Sequence, residues 1–288
     1  MTTQAYPVKE IAKNTYEIDE FDCASIFLLV GEEKALVIDT GSGIGDLKGA
    51  ISKITKKPLI LVLTHGHGDH VGGLGWFDEY YMNSDDLGKY TWMEGLESRK
   101  HYAKIIADRE GKKYDYDIDK DILPWPVGSN PKHLNLEDGQ KFDLGGRVVT
   151  AFHCPGHTPG SMVFLDTQSR ILFSGDSCNC NMLLGSKPDD PTFTSIERAL
   201  KALKRIYDMG EEYDRNFNQH HDFRPFGEPL EENVLPNIIR CCEDLVRGNY
   251  VEELMPGLFP GMPERTVVRS GSVFVTYVKE GIKEPKLI

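Results

Sequence analysis

Four side chains that could hold metal ions lie within six positions of the sequence. The stretch LILVLTHGHGDHVGG begins with an aliphatic run and then presents His65, His67, Asp69 and His70. Neutral imidazole nitrogen and carboxylate oxygen together suit hydrolytically active ions such as zinc, and also iron or manganese. Because His65 and His67 can aim at one ion while Asp69 and His70 reach another, the stretch predicts half of a two-metal site.

The surrounding sequence predicts the elements that must position this stretch. TYEIDEF alternates polar and apolar residues, and ASIFLLV and KALVIDT, separated by GEE, predict a hairpin. GDLKGAISKI has apolar residues at helical spacing, and PLILVLT, bounded by Pro58 and the histidines, predicts a buried strand. The histidines therefore follow the end of a strand in an α/β arrangement, where open α/β sheets bind their ligands.

The rest of the chain divides into three predicted parts. Residues 76–134 predict a helical, aromatic-rich insertion, which is either a lid over the site or an interface. Turn-punctuated strands follow, then TSIERALKALKRIYDM predicts an amphipathic helix, and residues 229–288 predict a C-terminal helix and strand extension. Since no low-complexity linker or short repeat interrupts the chain, we expect residues 1–288 to form a single domain. The aromatic residues that could cover the site are Trp76, Phe77, Tyr80, Tyr81, Tyr90 and Trp92.

The composition limits the expected partners. The chain has 288 residues, is 40% hydrophobic and carries a formal net charge of −12, which opposes attraction to nucleic acid or to anionic membranes. MTTQAYPVKE lacks the charged start and apolar core of a secretory signal, so we expect a cytoplasmic protein with reduced cysteines. A small-molecule substrate is the expected partner. A homodimer stays open, because LMPGLFPGM is either a dimer surface or a pocket wall.

Three further motifs occur downstream in a fixed order. HCPGHTPGS contains His157, ILFSGDS contains Asp176, and YDRNFNQHHDF contains His220 and His221. Together with LVIDTGSG and the histidine-rich stretch, these motifs resemble those of the metallo-β-lactamase superfamily. One departure is that Asn218-Gln219 stands where the superfamily usually has Pro-Gly before its last histidine.

This resemblance implies a fold and a set of metal ligands. The implied fold is α/β, or α+β in some schemes: a four-layer αβ/βα sandwich of two mixed β-sheets flanked by helices. The resemblance covers about residues 8–75 and 134–225. It implies two divalent ions, of which zinc is the first expectation and iron or manganese the alternatives. It also implies that Asp39 supports the histidine loop and that Asp69 orients the attacking hydroxide as well as binding metal. The implied ligands are His65, His67 and His157 for the first ion, Asp69, His70 and His220 for the second, and Asp176 shared between them.

The same resemblance implies a dinuclear metal-dependent hydrolase. A metal-bridging hydroxide would cleave an ester, thioester, lactone or phosphodiester bond of a small molecule. Asp176 makes the chain more similar to glyoxalase II, the lactonases and the phosphodiesterases than to class B β-lactamases, which carry cysteine or histidine there. Two alternatives stay open: an iron-dependent oxidoreductase similar to persulfide dioxygenases, and a non-catalytic ligand sensor.

Some residues keep two interpretations at this stage. The last ligand is His220 or, since the flanking Pro-Gly is missing, His221. Cys178 and Cys180 either approach the ions or are buried thiols. Arg224 either anchors an anionic group of a substrate or forms a structural pair.

Overall fold

The structure, a computed structural model, describes residues 5–221, 224–259 and 261–285. The side chain of Trp92, one of the aromatic candidates, lies outside the described residues. The strands are β1 (Val8–Ala12), β2 (Thr15–Asp19), β3 (Ser25–Val30), β4 (Ala35–Ile38), β5 (Leu59–Val62), β6 (Glu79–Met82), β7 (Lys132–Asn135), β8 (Lys141–Asp143), β9 (Val148–His153), β10 (Met162–Asp166), β11 (Ile171–Phe173), β12 (Asn181–Leu183), β13 (Arg215–Phe217), β14 (Glu253–Met255), β15 (Arg265–Ser270) and β16 (Val273–Thr276). The helices are α1 (Leu47–Ile54), α2 (Gly68–Val71), α3 (Thr91–Glu94), α4 (Leu96–Arg109), α5 (Ile118–Asp121), α6 (Ile196–Asp208) and α7 (Val234–Arg247).

The first sheet has seven strands in the order β1 to β7. The strands from β1 to β4 form an antiparallel meander, and β4, β5, β6 and β7 run parallel to one another. The predicted hairpin is β3 and β4, in which Leu28 lies opposite Val37. The predicted buried strand is β5, which lies between β4 and β6 in the interior of the sheet. The histidine loop therefore begins at the carboxyl end of an interior strand.

The second sheet has five strands in the order β13-β11-β10-β9-β8. The two sheets pack face to face over a shared apolar layer. The ring of Phe27, from β3, lies 4.7 Å from that of Phe173 and 5.9 Å from that of Phe217, both of which belong to the second sheet. All three rings are fully buried, so the inner faces of the sheets form one core.

Helices cover the outer faces of both sheets. Residues of α1 and α4 pack with the first sheet, and residues of α6 and α7 pack with the second. The helix α6 begins where the Ser195 side chain accepts a hydrogen bond from the Arg198 backbone N–H. Its apolar face is buried as the helical spacing predicts, apart from Leu200, which is half-buried. The layers run helix, sheet, sheet, helix, which confirms the predicted four-layer sandwich.

A third sheet was not among the expectations. Its order is β12-β16-β15-β14, and it packs on α7 through apolar residues such as Val268 and Val275. The predicted terminal strand pair is β15 and β16. The other edge of β16 pairs in parallel with β12, which lies far earlier in the chain, with Met182 opposite Val275. Such a distant parallel pairing leaves no local signal in the sequence.

The segment 76–134 begins and ends within the first sheet. Its two ends supply β6 and β7, and the helices α3, α4 and α5 lie between them. Ala103 and Ile106 on α4 are buried in the core beneath that sheet. No helix of the described residues is long and apolar enough to cross a membrane.

Candidate metal centre

Loops from both sheets converge at one edge of the sandwich. On the first sheet, β5 leads into His65 and His67, and α2 carries Asp69 and His70. On the second sheet, the turn between β9 and β10 carries His157, a 3₁₀ turn after β11 carries Asp176, and the loop after β13 carries His220. The backbone N–H of Met162 donates to the Thr64 carbonyl at 2.8 Å, which ties the two loop systems together.

The first trio consists of His65, His67 and His157. Their ring nitrogens lie within 4.8 Å of one another, and His157 Nε2 is 3.0 Å from His67 Nδ1. The His65 ring centroid lies 4.6 Å from that of His67 and 4.9 Å from that of His157. Three nitrogens facing one point at this spacing could hold a metal ion.

The second trio consists of Asp69, His70 and His220. Asp69 Oδ2 lies 3.8 Å from His70 Nε2 and 3.5 Å from His220 Nε2, and ligand atoms of all three lie within 4.8 Å of one another. Asp176 lies between the trios: its Oδ2 is 3.5 Å from His157 Nε2 and 3.3 Å from His220 Nε2. The seven residues implied by the family resemblance are therefore brought together, and their role as ligands stays a prediction.

Buried polar atoms without partners show that these residues fit metal ions. Of the described residues, His65 Nε2, His70 Nε2 and Asp176 Oδ1 are among the buried side-chain atoms that have no hydrogen-bond partner. Leaving such an atom unsatisfied costs about 1–3 kcal/mol. Three such atoms close together are costly, whereas coordination to an ion would satisfy each of them.

The electrostatics of the metal-free trios differ. Burial is the main reason that the pKa of His67 falls to about 3, and it also holds the pKa of His65 well below its ordinary value. Burial would lower the pKa of His70 and His220 as well, but Asp69 and Asp176 outweigh it and raise these values to about 10 and about 9. Without metal, two histidines of the first trio are therefore neutral and both histidines of the second are cationic.

Asp39 supports the second trio from behind, as the resemblance implied. Its Oδ2 accepts a hydrogen bond from His70 Nδ1 at 2.9 Å and one from Thr64 Oγ1 at 2.7 Å, and its Oδ1 accepts the Thr64 backbone N–H at 2.7 Å. A proton held on Nδ1 of His70 leaves Nε2 free to bind an ion. Asp39 is fully buried and has a φ of +64°, a conformation that is uncommon for a residue other than glycine.

Asp86 is a residue that the sequence did not single out. Its Oδ1 accepts the Gly160 N–H at 2.7 Å, and its Oδ2 accepts the Gly66 N–H at 3.0 Å and the Thr158 hydroxyl at 2.7 Å. One buried carboxylate thus links the loop of His65 and His67 to the loop of His157. The stretch NSDDLG resembles an ordinary acidic turn, and its neighbour Asp85 is exposed, so nothing local distinguishes Asp86.

Two glycines let the insertion approach the metal loop closely. A Cβ at Gly68 would overlap the Met93 carbonyl of α3, and a Cβ at Gly66 would lie 2.9 Å from the Tyr90 ring. That ring stands edge-on to His67, with centroids 4.5 Å apart. The segment 76–134 therefore forms one wall of the site.

The structure separates His220 from His221. His220 belongs to the second trio, whereas His221 faces away from it, with Nε2 2.9 Å from Glu17 and 2.7 Å from Ser25 Oγ. His221 also forms a separate group with Asp19 and Asp22.

Arg224 and the residues before His220 form a structural network. Arg224 Nη2 lies 2.7 Å from Glu17 Oε1, its Nε donates to the Asn218 side chain, and its own side chain is 1% exposed. The Ser25 N–H donates to the Gln219 carbonyl at 2.7 Å. Asn218 and Gln219 are fully buried, so hydrogen bonds here position the backbone that Pro-Gly fixes in the usual motif.

The remaining candidates lie outside the seven-residue cluster. Cys178 and Cys180 are buried in the apolar layer under α6 and α7, and burial raises the pKa of both thiols. Two histidines outside the cluster are bonded to backbone carbonyls: His153 Nε2 donates to Pro159 at 2.8 Å, and His133 Nε2 donates to Met82 at 2.9 Å. Of the aromatic candidates whose side chains the structure describes, Tyr90 is the one whose ring contacts a histidine of the cluster.

A cavity of about 280 Å³ opens beside the second trio. Gly68 and Asp69 form its inner end, and residues of α3, α4 and the loop after β14 form its walls. A larger cavity of about 590 Å³ lies on another side of α4 and includes Lys104, but it contains none of the seven residues. Of these two cavities, the smaller is the one whose lining includes a residue of the seven, Asp69.

Fold, cluster and sequence point to the same class. The family model of the Metallo-beta-lactamase superfamily matches residues 21–212, and the chain belongs to this superfamily. Its members typically bind metal ions, which agrees with the histidine and aspartate groups described above.

Particular relatives can be named within this class. Acyl-coenzyme A thioesterase MBLAC2 of Homo sapiens is 31% identical over 174 residues, a match that covers 53% of this chain and 57% of the human protein. The chain thus spans little more than half the length of that relative. A metallo-beta-lactamase family protein from Thermus thermophilus has a TM-score of 0.56 at 17% identity, and the match covers 83% of this chain and 82% of the other. The sec-alkylsulfatase Pisa1 from Pseudomonas sp. has a TM-score of 0.57 at 15% identity, and the match covers 84% of this chain and 42% of the other. These two structures support the fold alone.

Proposed function

We propose that this chain is a dinuclear metal-dependent hydrolase that cleaves the thioester bond of a small acyl thioester. The observation that carries the proposal is the pair of trios joined by Asp176, with Asp176 Oδ2 3.5 Å from His157 and 3.3 Å from His220. The similarity to an acyl-coenzyme A thioesterase favours a thioester among the bonds that such a centre can cleave.

The residues present can divide the work of hydrolysis. One divalent ion would be held by His65, His67 and His157, and the other by Asp69, His70 and His220. Asp176 would contact both ions. Zinc suits this set of nitrogen and carboxylate ligands. When bound, the two ions supply an activated water and polarise the carbonyl oxygen of the substrate.

Asp69 would orient the attacking water. One oxygen faces His70 and His220, and the side chain, 12% exposed, also lines the cavity. By accepting a hydrogen bond from water, Asp69 directs the oxygen toward the carbonyl carbon. Water adds to that carbon and the C–S bond breaks; one proton of the water goes to the departing sulfur, which leaves as a thiol, and the other is released as the acid product ionises to a carboxylate.

Thiol release by zinc-loaded protein tests the proposal. We expect hydrolysis of acyl-coenzyme A, followed with a thiol-reactive dye, to exceed hydrolysis of a lactone and of bis(p-nitrophenyl) phosphate. The His157→Ala variant should lose zinc and at least about a thousandfold in kcat/KM, a loss typical of removing a metal-site residue. His133→Ala is the matched control. His133 donates a hydrogen bond to the Met82 carbonyl in the first sheet, away from the cluster, so this variant should keep full activity.

Other outcomes would overturn the proposal in distinct ways. Faster phosphodiester than thioester cleavage would identify a different scissile bond. One bound iron together with oxygen consumption on a persulfide would favour the oxidoreductase alternative. Full metal loading without turnover of any of these substrates would favour a ligand sensor.

A further inference from the structure

The cavity beside Asp69 has a lining suited to a hydrocarbon chain. Its apolar wall combines three parts of the chain: Met93 from α3, Tyr102 and Ile105 from α4, and Phe259 with Met262 from the loop after β14. The rings of Tyr102 and Phe259 lie 6.2 Å apart, edge to face. The insertion and the C-terminal extension, neither of which belongs to the family's shared motifs, thus build one apolar channel that ends at Asp69.

The polar residues at the inner end of the cavity are largely engaged elsewhere. Arg99 is 2% exposed, and its guanidinium donates to the carbonyls of Ser42 at 3.2 Å and Leu123 at 2.8 Å. The guanidinium is therefore committed to holding loops together and does not offer a charge to the occupant of the cavity.

We propose that this cavity holds the acyl chain of the thioester and that Ile105 limits the length of chain it accepts. The inference rests on the proposed function and adds the substrate class to it: medium-chain acyl thioesters. A carbonyl carbon beside Asp69 would place the hydrocarbon tail in the apolar channel and leave the thiol portion outside it.

The helix geometry explains why Ile105 limits the length. Ser98, His101, Tyr102 and Ile105 all line the cavity at helical spacing, so one face of α4 forms the wall. Seven residues separate Ser98, near the metal loop, from Ile105, which is about 10 Å along the axis at 1.5 Å per residue. An extended chain of about eight carbons covers that distance.

The cavity volume agrees with the same chain length. The cavity has a volume of about 280 Å³, which is ample for a chain of about eight carbons. Met262 is 52% exposed and marks the outer end. Each added methylene that becomes buried should therefore raise kcat/KM about fourfold up to about eight carbons, and longer chains should gain little.

Two measurements on zinc-loaded protein test this inference. One is kcat/KM for acetyl-, butyryl-, octanoyl- and dodecanoyl-coenzyme A. The other is calorimetric binding of octanoate against propionate, which does not require turnover. The variants are Ile105→Trp, which fills the channel, and Ile105→Ala, which extends it. Lys104→Trp is the matched control, because Lys104 lies next on the helix but lines the other cavity.

The expected results are specific to Ile105. Ile105→Trp should lower the ratio of octanoyl to acetyl kcat/KM at least tenfold and weaken octanoate binding, and Ile105→Ala should move the optimum toward dodecanoyl. Lys104→Trp should leave the ratio at the parent value. If Ile105→Trp fails to fold, the change in preferred acyl chain length in Ile105→Ala tests the inference.

The outcomes distinguish this inference from the proposed function. Thioester hydrolysis with no dependence on chain length, or an equal response to the changes at positions 104 and 105, overturns the acyl channel and leaves the hydrolase standing. Octanoate binding that depends on Ile105 without any thioester hydrolysis supports the channel and overturns the proposed function. If the protein neither binds octanoate nor hydrolyses thioesters, both the acyl channel and the proposed function are overturned.

Discussion

Replacing Asp39 by asparagine should weaken one of the two metal positions selectively. The carboxylate of Asp39 accepts three hydrogen bonds, and one of them, from His70 Nδ1, fixes which ring nitrogen carries the proton. In Asp39→Asn one oxygen becomes an NH₂ group that donates instead of accepting. If that group faces His70, Nδ1 must become the acceptor and the proton moves to Nε2, the atom that would bind the ion.

The size of the effect follows from the position of Asp39. Loss of a buried partner that orients a ligating histidine typically costs 10- to 100-fold in metal affinity, or about 1.4–2.8 kcal/mol. The cost should fall mainly on the second trio, because Asp39 bonds His70 directly, whereas it is linked to His65 of the first trio through the Thr64 hydroxyl, which lies 3.1 Å from His65 Nδ1. We expect the first zinc to bind within about threefold of the parent affinity.

A chelator competition that resolves two zinc-binding steps measures this effect. Asp86→Asn is the mirror variant, since Asp86 joins the two loops of the first trio and should weaken that position instead. Asp85→Asn, at the exposed neighbour, is the neutral control. Equal weakening of both steps in Asp39→Asn, or no weakening, would refute the argument that the hydrogen bond to His70 sets the affinity.

Three further predictions concern charge and packing around the site. Arg224→Ala should lower the free energy of unfolding by about 3 kcal/mol in urea, because it removes one of the two charged partners of the buried Glu17 carboxylate and leaves His221 as the other. In the metal-free chain the pKa of His70 is about 10 and that of His220 is about 9, so each ring must lose a proton when it binds a metal ion at neutral pH. The affinity for the metal should therefore rise with pH. Calorimetry in buffers of different ionisation enthalpy measures the number of protons released. Gly68→Ala should destabilise the fold by about 1–3 kcal/mol, as measured by urea unfolding, because the new methyl group overlaps α3.

The sequence predicts the parts of this molecule that depend on local patterns. The helix α6 has apolar residues at helical spacing, while the strand before His65 and the hairpin of β3 and β4 are apolar runs of strand length bounded by turn or polar residues. The metal-ligand motifs are also local, since each is a short loop after a strand, and the family resemblance supplied their grouping. The geometric separation of His220 from His221, by contrast, depends on Glu17, which is distant in sequence.

Features that depend on distant pairing could not be predicted in this way. Asp86 acts through backbone N–H groups of Gly66 and Gly160, which lie 20 and 74 positions away, and its own neighbours give no hint of that role. The third sheet depends on β12 meeting β16. The acyl channel needs residues near 93, 105 and 259 to meet, and neither the aromatic content of the insertion nor the apolar C-terminal stretch indicates which residues face each other.

The candidate site lies where the loops of the two sheets meet. The first sheet supplies His65, His67, Asp69 and His70, and the second supplies the other three residues of the cluster, so each ion would bridge the two halves of the sandwich. The apolar layer between the sheets sets the distance between them, and Asp86 fixes the loop of His65 and His67 against the loop of His157. A site assembled in this way has little freedom to adjust to the substrate. Selectivity must therefore come from the added segments, the insertion and the C-terminal extension, which form the channel wall without supplying any of the seven candidate ligands.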